Sequence, residues 1–124
     1  MAEDAEHPVE ACLDYPELLA RMENDQDLVR DLLRIFKDEF PRGVQSLREA
    51  IASGDLKKIE TTGHTMKGMA AMLAFGRVTQ LCKQIEMLGR QRIGEGLAEL
   101  VAGLEHETRL AVAALESSCV EPPQ

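Results

Sequence analysis

From Asp25 to Leu115 the apolar residues recur at spacings of three and four, interrupted only at Ser53-Gly54-Asp55, at Phe75-Gly76 and over the glycine-bearing segment 89–96. That period is the period of an α-helix with one buried stripe. The longest run, Val29, Leu33, Phe36, Phe40, Val44, Leu47 and Ile51, follows Asp25, a good N-cap, and Leu28, Leu32 and Ile35 are expected to widen its apolar face. Pro41 lies inside it, and proline removes a backbone donor and crowds the carbonyl four residues back, so a kink or break is expected near residues 37–41. The stripe keeps its phase across Pro41, which favours one kinked helix over two. Gly54 ends this helix and Asp55 caps the next, over about 55–74, with Ile59, Met66, Ala70 and Leu73 as its core stripe. Phe75-Gly76 then makes a tight reversal into a helix over about 77–90, whose expected buried positions are Val78, Leu81, Cys82, Ile85 and Leu88. So short a connection makes the two helices antiparallel neighbours. Gly89, Gly94 and Gly96 are expected to loosen the next connection, and a last helix over about 96–116 turns Leu97, Leu100, Val101, Leu104, Ala111 and Leu115 inward. Upstream, Asp14 and Pro16 suit the start of a short helix over about 16–23, with Leu18, Leu19 and Met22 as its apolar side and Asn24 ending it in a left-handed turn.

The pattern predicts an all-α bundle, and composition agrees. The 124 residues are rich in helix formers and hold three Phe, one Tyr and no Trp, enough chain for one core and one domain. A formal charge of -8 argues against nucleic acid and against an anionic membrane surface, so the expected partner is protein. Cys12, Cys82 and Cys119 are odd in number, form no C-x-x-C pair and accompany no long apolar run, which points to a reduced, cytoplasmic protein. Cys82 falls on a core stripe and reads as a small buried hydrophobe. Residues 1–13, interrupted by His7-Pro8, read as a lead-in, 14–116 as the domain and 117–124 as a tail that Pro122-Pro123 keeps from continuing the helix.

One stretch departs from the core logic. Gly63-His64-Thr65-Met66-Lys67-Gly68 sets a histidine between two glycines inside a helix, where each glycine costs roughly 1 kcal/mol relative to alanine, about 2 kcal/mol for the pair. His64, Lys67 and Gly68 stand at i, i+3 and i+4, one face within one turn, opposite the Ile59/Met66/Leu73 stripe. Gly68, without a Cβ, leaves the imidazole uncovered. His106, with Glu105 and Glu107 beside it and no glycine, reads as an ordinary surface histidine.

His64-Thr65-Met66-Lys67-Gly68, followed by Leu81-Cys82-Lys83-Gln84-Ile85-Glu86-Met87-Leu88-Gly89-Arg90, resembles the histidine-containing phosphotransfer (HPt) domain of bacterial and eukaryotic phosphorelays, over roughly residues 14–116. The resemblance implies an up-and-down antiparallel four-helix bundle with a short extra N-terminal helix. It also implies a phosphoryl carrier without kinase activity of its own, which accepts the group on His64 from a receiver aspartate and passes it to another. An exposed acceptor needs one ring nitrogen facing solvent and the other held. Counted from the reversal, His64 is eleven or twelve residues before it and Glu86 ten or eleven after it, so the two should be level. By resemblance Glu86 takes the imidazole-orienting position, holding Nδ1–H and leaving Nε2 as nucleophile. Lys67 is expected beside the incoming phosphoryl oxygens, where charge stabilisation carries most of the catalysis. Arg90 is expected either to add positive potential for the partner's acidic pocket or to act as a simple helix C-terminal cation.

Where the family commonly has serine, this chain has Met69, and in place of a Leu-Gly-Ala-like run it has Leu73-Ala74-Phe75. Those departures bear on the partner-facing rim rather than on the chemistry. The expected partners are response-regulator receiver domains or a hybrid histidine kinase, docking transiently on a monomer through Leu18 or Met22 with Thr65, Met69 and Ala71. No cofactor or metal is expected on this chain, and Mg²⁺ is expected on the receiver. No nucleotide-binding loop is present in the sequence. The alternatives are the phosphotransfer domain of a chemotaxis-type kinase, which Glu86 slightly favours, an adaptor bundle that is not phosphorylated, and a metal-binding bundle. The last would need Glu-x-x-His pairs, whereas only Glu60, four residues before His64, comes close.

Overall fold

Five helices account for most of the residues that this computed structural model describes, 15–73 and 75–117: α1 (Tyr15–Arg21), α2 (Gln26–Ser53), α3 (Leu56–Met72), α4 (Gly76–Arg90) and α5 (Leu97–Ser117). α2 packs on α3, α3 on α4, α4 on α5 and α5 back on α2, while α1 lies against α2. This is the four-helix bundle with a short preceding helix that the sequence predicts. The lead-in, Asp14, Ala74, Cys12, Cys119, the side chain of Leu115 and the tail lie outside the described residues.

The predicted stops and starts operate as hydrogen bonds. Asn24 adopts φ 64° and donates its N–H to the Leu19 carbonyl. Asp25 accepts from the Leu28 N–H and Asp55 from the Lys58 N–H, each at 3.0 Å, and between them Gly54 closes α2 at φ 73°. α2 runs unbroken through Pro41, so the in-phase stripe outweighs the missing donor. All three phenylalanines meet in the core: the Phe36 ring lies 4.4 Å from that of Phe40 and 4.8 Å from that of Phe75. Phe75 belongs to the α3–α4 reversal, so burying it fastens that reversal to α2.

Two expectations about the face of α2 fail. Leu28 and Ile35 are 40% and 45% exposed, outside the core rather than part of it. With half-buried Leu32 they form a second stripe offset by one residue, about 100° round the helix, and the bundle leaves it facing outward. Leu81, Leu88 and Leu100 are half-buried rather than buried.

The tightest packing is between α3 and α4, and glycine permits it. A Cβ on Gly89 would sit 2.7 Å from the backbone nitrogen of Glu60, and one on Gly63 would sit 3.1 Å from that of Glu86. Gly89 therefore does not loosen the connection after α4. It is a buried point of backbone contact inside the helix. Gly68 has nothing within 4 Å of its absent Cβ. Alanine should accordingly have opposite effects at positions of one residue type: Gly89→Ala destabilises by about 1–3 kcal/mol through overpacking, whereas Gly68→Ala stabilises by about 0.5–1 kcal/mol through helix propensity. Urea denaturation of the two variants checks the signs.

Candidate functional site

His64 projects from the middle of α3 with 68% of its side chain exposed, and its Nδ1 lies 2.8 Å from Oε2 of Glu86 on α4. The two are level, as counting from the reversal predicts. The Glu86 side chain is only 3% exposed, so its charge has to be met by protein groups. Three supply them. Lys67 Nζ lies 2.7 Å from Oε1, while Oε2 is shared between His64 Nδ1 and Arg90 Nη2, the latter also at 2.8 Å. Arg90 reaches further and donates from Nε to Glu60 Oε2 at 3.2 Å, back on α3.

Electrostatics fix the protonation pattern. The Lys67 ammonium, hydrogen-bonded to Glu86, holds that carboxyl below the usual carboxylate range; burial opposes this and His64 adds to it. An ionised carboxylate only accepts hydrogen bonds, so the hydrogen between the ring and Glu86 belongs to Nδ1. When the ring is neutral, Nε2 across from Nδ1 carries the lone pair. A neutral imidazole with a buried counter-charge behind it and a free lone pair in front is arranged as a nucleophile whose developing positive charge is met in advance.

Lys67, expected beside the incoming oxygens, ends on Glu86, the same carboxylate that holds the imidazole. Arg90 is more than a helix-end cation, since it ties two carboxylates from two helices. Glu60 has no place in the expected phosphotransfer site; its sequence sign was its position four residues, one helical turn, before His64.

A groove beside His64 is lined by Leu32, Ile35, Thr65, Gly68, Met69, Met72 and Leu73. Thr65 and Met69, two of the residues expected to meet a partner, line this groove, whereas Ala71 is exposed but does not line it. Met22 is half-buried at the edge of the core. Leu18 is not available: it is fully buried, because α1 lays its apolar side on α2. Arg21 fastens that arrangement by donating to the Ala71 carbonyl at 3.0 Å. Ile35 and Met72, each 45% exposed, are the large apolar side chains that line the groove in the open. The signal for Ile35 was its phase, one residue off the core stripe with Leu28 and Leu32.

Away from this face, Cys82 is fully buried and burial pushes its thiol up to about 12, in keeping with a small hydrophobe. His106 is exposed. Among the described residues no group of three His, Cys, Asp or Glu is placed to hold a metal ion, and no helix is long and apolar enough to cross a membrane.

Because folding lowers the Glu86 pKa, the stability it supplies is complete above the ordinary carboxylate range and is lost as pH falls through the lowered value. Glu86→Gln keeps an acceptor oxygen but no charge. The stability of wild type relative to Glu86→Gln, from urea titrations between about pH 7 and about pH 3, should therefore decline toward acid. A constant difference would mean that the carboxylate is not held as described.

The Hpt domain family profile matches residues 31–118. Two curated relatives align at low identity. Multistep phosphorelay regulator 1 of Schizosaccharomyces pombe is 24% identical over 87 residues, and the phosphorelay intermediate protein YPD1 of Candida albicans is 21% identical over 77 residues. These alignments take in 69% and 62% of this chain but only 30% and 42% of the relatives, which are longer proteins. Among solved structures, the HPT domain of the Hpt sensor hybrid histidine kinase from Shewanella has the same fold, with a TM-score of 0.77 at 20% identity, covering 93% of this chain and 99% of that one. Taking in most of α2 and all of α3 and α4, and with them every member of the His64 cluster, the profile match places this chain in the Hpt domain family.

Proposed function

We propose that the chain is the histidine phosphotransfer module of a phosphorelay, taking a phosphoryl group on Nε2 of His64 from the phospho-aspartate of a receiver domain and returning it to the aspartate of another. The observation that carries this reading is the exposed imidazole with Nδ1 held 2.8 Å from a buried, ionised Glu86. In the transfer the Nε2 lone pair forms the N–P bond as the aspartyl O–P bond breaks, and the aspartate leaves as a carboxylate. Nδ1 keeps its proton, so the ring becomes cationic and Glu86 stabilises it. Lys67 turns one of its three N–H groups to the phosphoryl oxygens. Mg²⁺ belongs to the receiver, and the chain itself carries phosphate without binding nucleotide. The receiver docks on the groove of Ile35, Thr65, Met69 and Met72. A second reading, the phosphotransfer domain of a chemotaxis-type kinase, has glutamate at position 86 in its favour, while the names of the two curated relatives favour the relay.

Incubation with a phosphorylated receiver domain and Mg²⁺ should give acid-labile, base-stable phosphate on the wild type and none on His64→Gln; no label from any of several receivers would sink the reading. Lys67→Ala should slow transfer by about tenfold, short of the ~10²–10³ typical of a fully buried oxyanion donor, because Lys67 is 30% exposed. Gly68→Gln should block transfer without unfolding the helix. For docking, Ile35→Glu should weaken receiver binding by about tenfold in calorimetry, whereas Leu18→Ala should leave binding alone and lower stability by about 2–5 kcal/mol.

A further inference from the structure

We infer that Glu60 is a positioning residue for His64, acting through Arg90, and that α3 and α4 bring it there by a reciprocal Glu-x-x-Gly pairing; the inference rests on His64 being the reacting group. Glu60-Thr61-Thr62-Gly63 on α3 and Glu86-Met87-Leu88-Gly89 on α4 have one spacing in common. In the antiparallel pair each glycine faces the other helix's glutamate: Gly63 lies against the backbone of Glu86, and Gly89 against the backbone of Glu60. Two backbone contacts nearly one turn apart fix the axial register and the rotation of both helices. They also bring the two glutamates to one seam, where each would meet the other's charge if nothing lay between them.

Arg90 lies between them. Its Nη2 donates to Glu86 Oε2 at 2.8 Å and its Nε to Glu60 Oε2 at 3.2 Å, so one guanidinium spans carboxylates of both helices. A guanidinium held by one bond at the end of a flexible stem can swing. Held by two bonds to opposite helices, its plane is set. That matters to His64 because Arg90 and His64 use the same oxygen. With Arg90 planted on one lone pair of Oε2 and Lys67 on Oε1, the carboxylate cannot turn, and the other lone pair of Oε2 stays aimed at Nδ1–H. Glu60 also balances the Arg90 charge, which otherwise would draw on Glu86 alone and weaken it as an acceptor. Both effects favour the Nδ1–H tautomer, the one that leaves Nε2 free to react.

The test compares Glu60→Ala, Glu60→Gln and Arg90→Ala with the wild type by ¹⁵N NMR of the His64 ring, by phosphoryl-acceptance rate and by urea denaturation. Losing the anchor of one hydrogen bond, about 1 kcal/mol, predicts a drop of about fivefold in the Nδ1–H to Nε2–H ratio and a similar slowing of acceptance in Glu60→Ala. Glu60→Gln keeps an acceptor for Arg90 Nε and should retain most of both. Arg90→Ala also removes the direct bond to Glu86, so its own effect differs from that of Glu60→Ala, but adding Glu60→Ala to it should change the tautomer ratio and the rate no further. An unchanged tautomer ratio and rate in Glu60→Ala, with only stability altered, would reduce Glu60 to a surface ion pair. Additive effects in the double variant would overturn the route through Arg90. A tautomer shift without phosphorylation of even the wild type would leave the positioning intact and defeat the phosphotransfer reading instead.

Discussion

A carboxylate with 3% of its side chain exposed is the interaction on which this molecule's one distinctive surface depends. Burying an unpaired charge costs several kcal/mol, so Glu86 stays ionised only because cations reach it. They come from both sides of the seam, Lys67 from α3 and Arg90 from its own helix, with the His64 ring N–H of α3 beside them, and so the charge can be satisfied in only one register of the pair. A slide of one residue along α3 would turn Lys67 and His64 off this face and leave the carboxylate alone. The site and the packing of α3 on α4 are therefore one constraint seen from two ends.

Glycine supplies the geometry for that constraint. A histidine on a helix surface and a glutamate on a neighbour do not ordinarily meet at 2.8 Å while the glutamate stays buried, because side chains keep helix axes about 8–10 Å apart. At Gly63 and Gly89 the backbones themselves touch, and the seam sinks far enough to cover Glu86 while His64 remains in solvent. Phe75, part of the reversal and packed on Phe36 of α2, keeps the closed end of the hairpin from sliding.

Much of this was legible from the sequence, and the failures have physical causes. Four stripes of period near 3.6 and two tight connections suffice for the bundle, and counting from Phe75-Gly76 suffices to make His64 and Glu86 level. Periodicity cannot say which of two adjacent stripes meets a neighbour, so Leu28 and Ile35 looked like core and Leu18 looked like a contact surface. Gly63, Gly68 and Gly89 are identical as letters. The first and last are required by a backbone across the seam and the second is not, a difference that exists only once two helices are placed together. Lys67 could be assigned to a face from its spacing, but not to Glu86, because four rotatable bonds let a lysine choose between a buried anion and water.

The choice of glutamate at position 86 sets the charge of the whole cluster. Glu60 and Glu86 are matched by Lys67 and Arg90, so with His64 neutral the group is formally neutral at rest. On the phosphotransfer reading, a phosphoryl dianion on a cationic ring adds one net negative charge. Glu86 then acts in two directions, attracting the ring it holds and repelling the group the ring has received. Glutamine in its place would leave the cluster positive and would favour keeping the phosphate. A carrier has to release what it takes, and for release a neutral cluster with one movable ammonium is better suited than a positive pocket. The same carboxylate that aims the nucleophile thus limits how tightly the product is held.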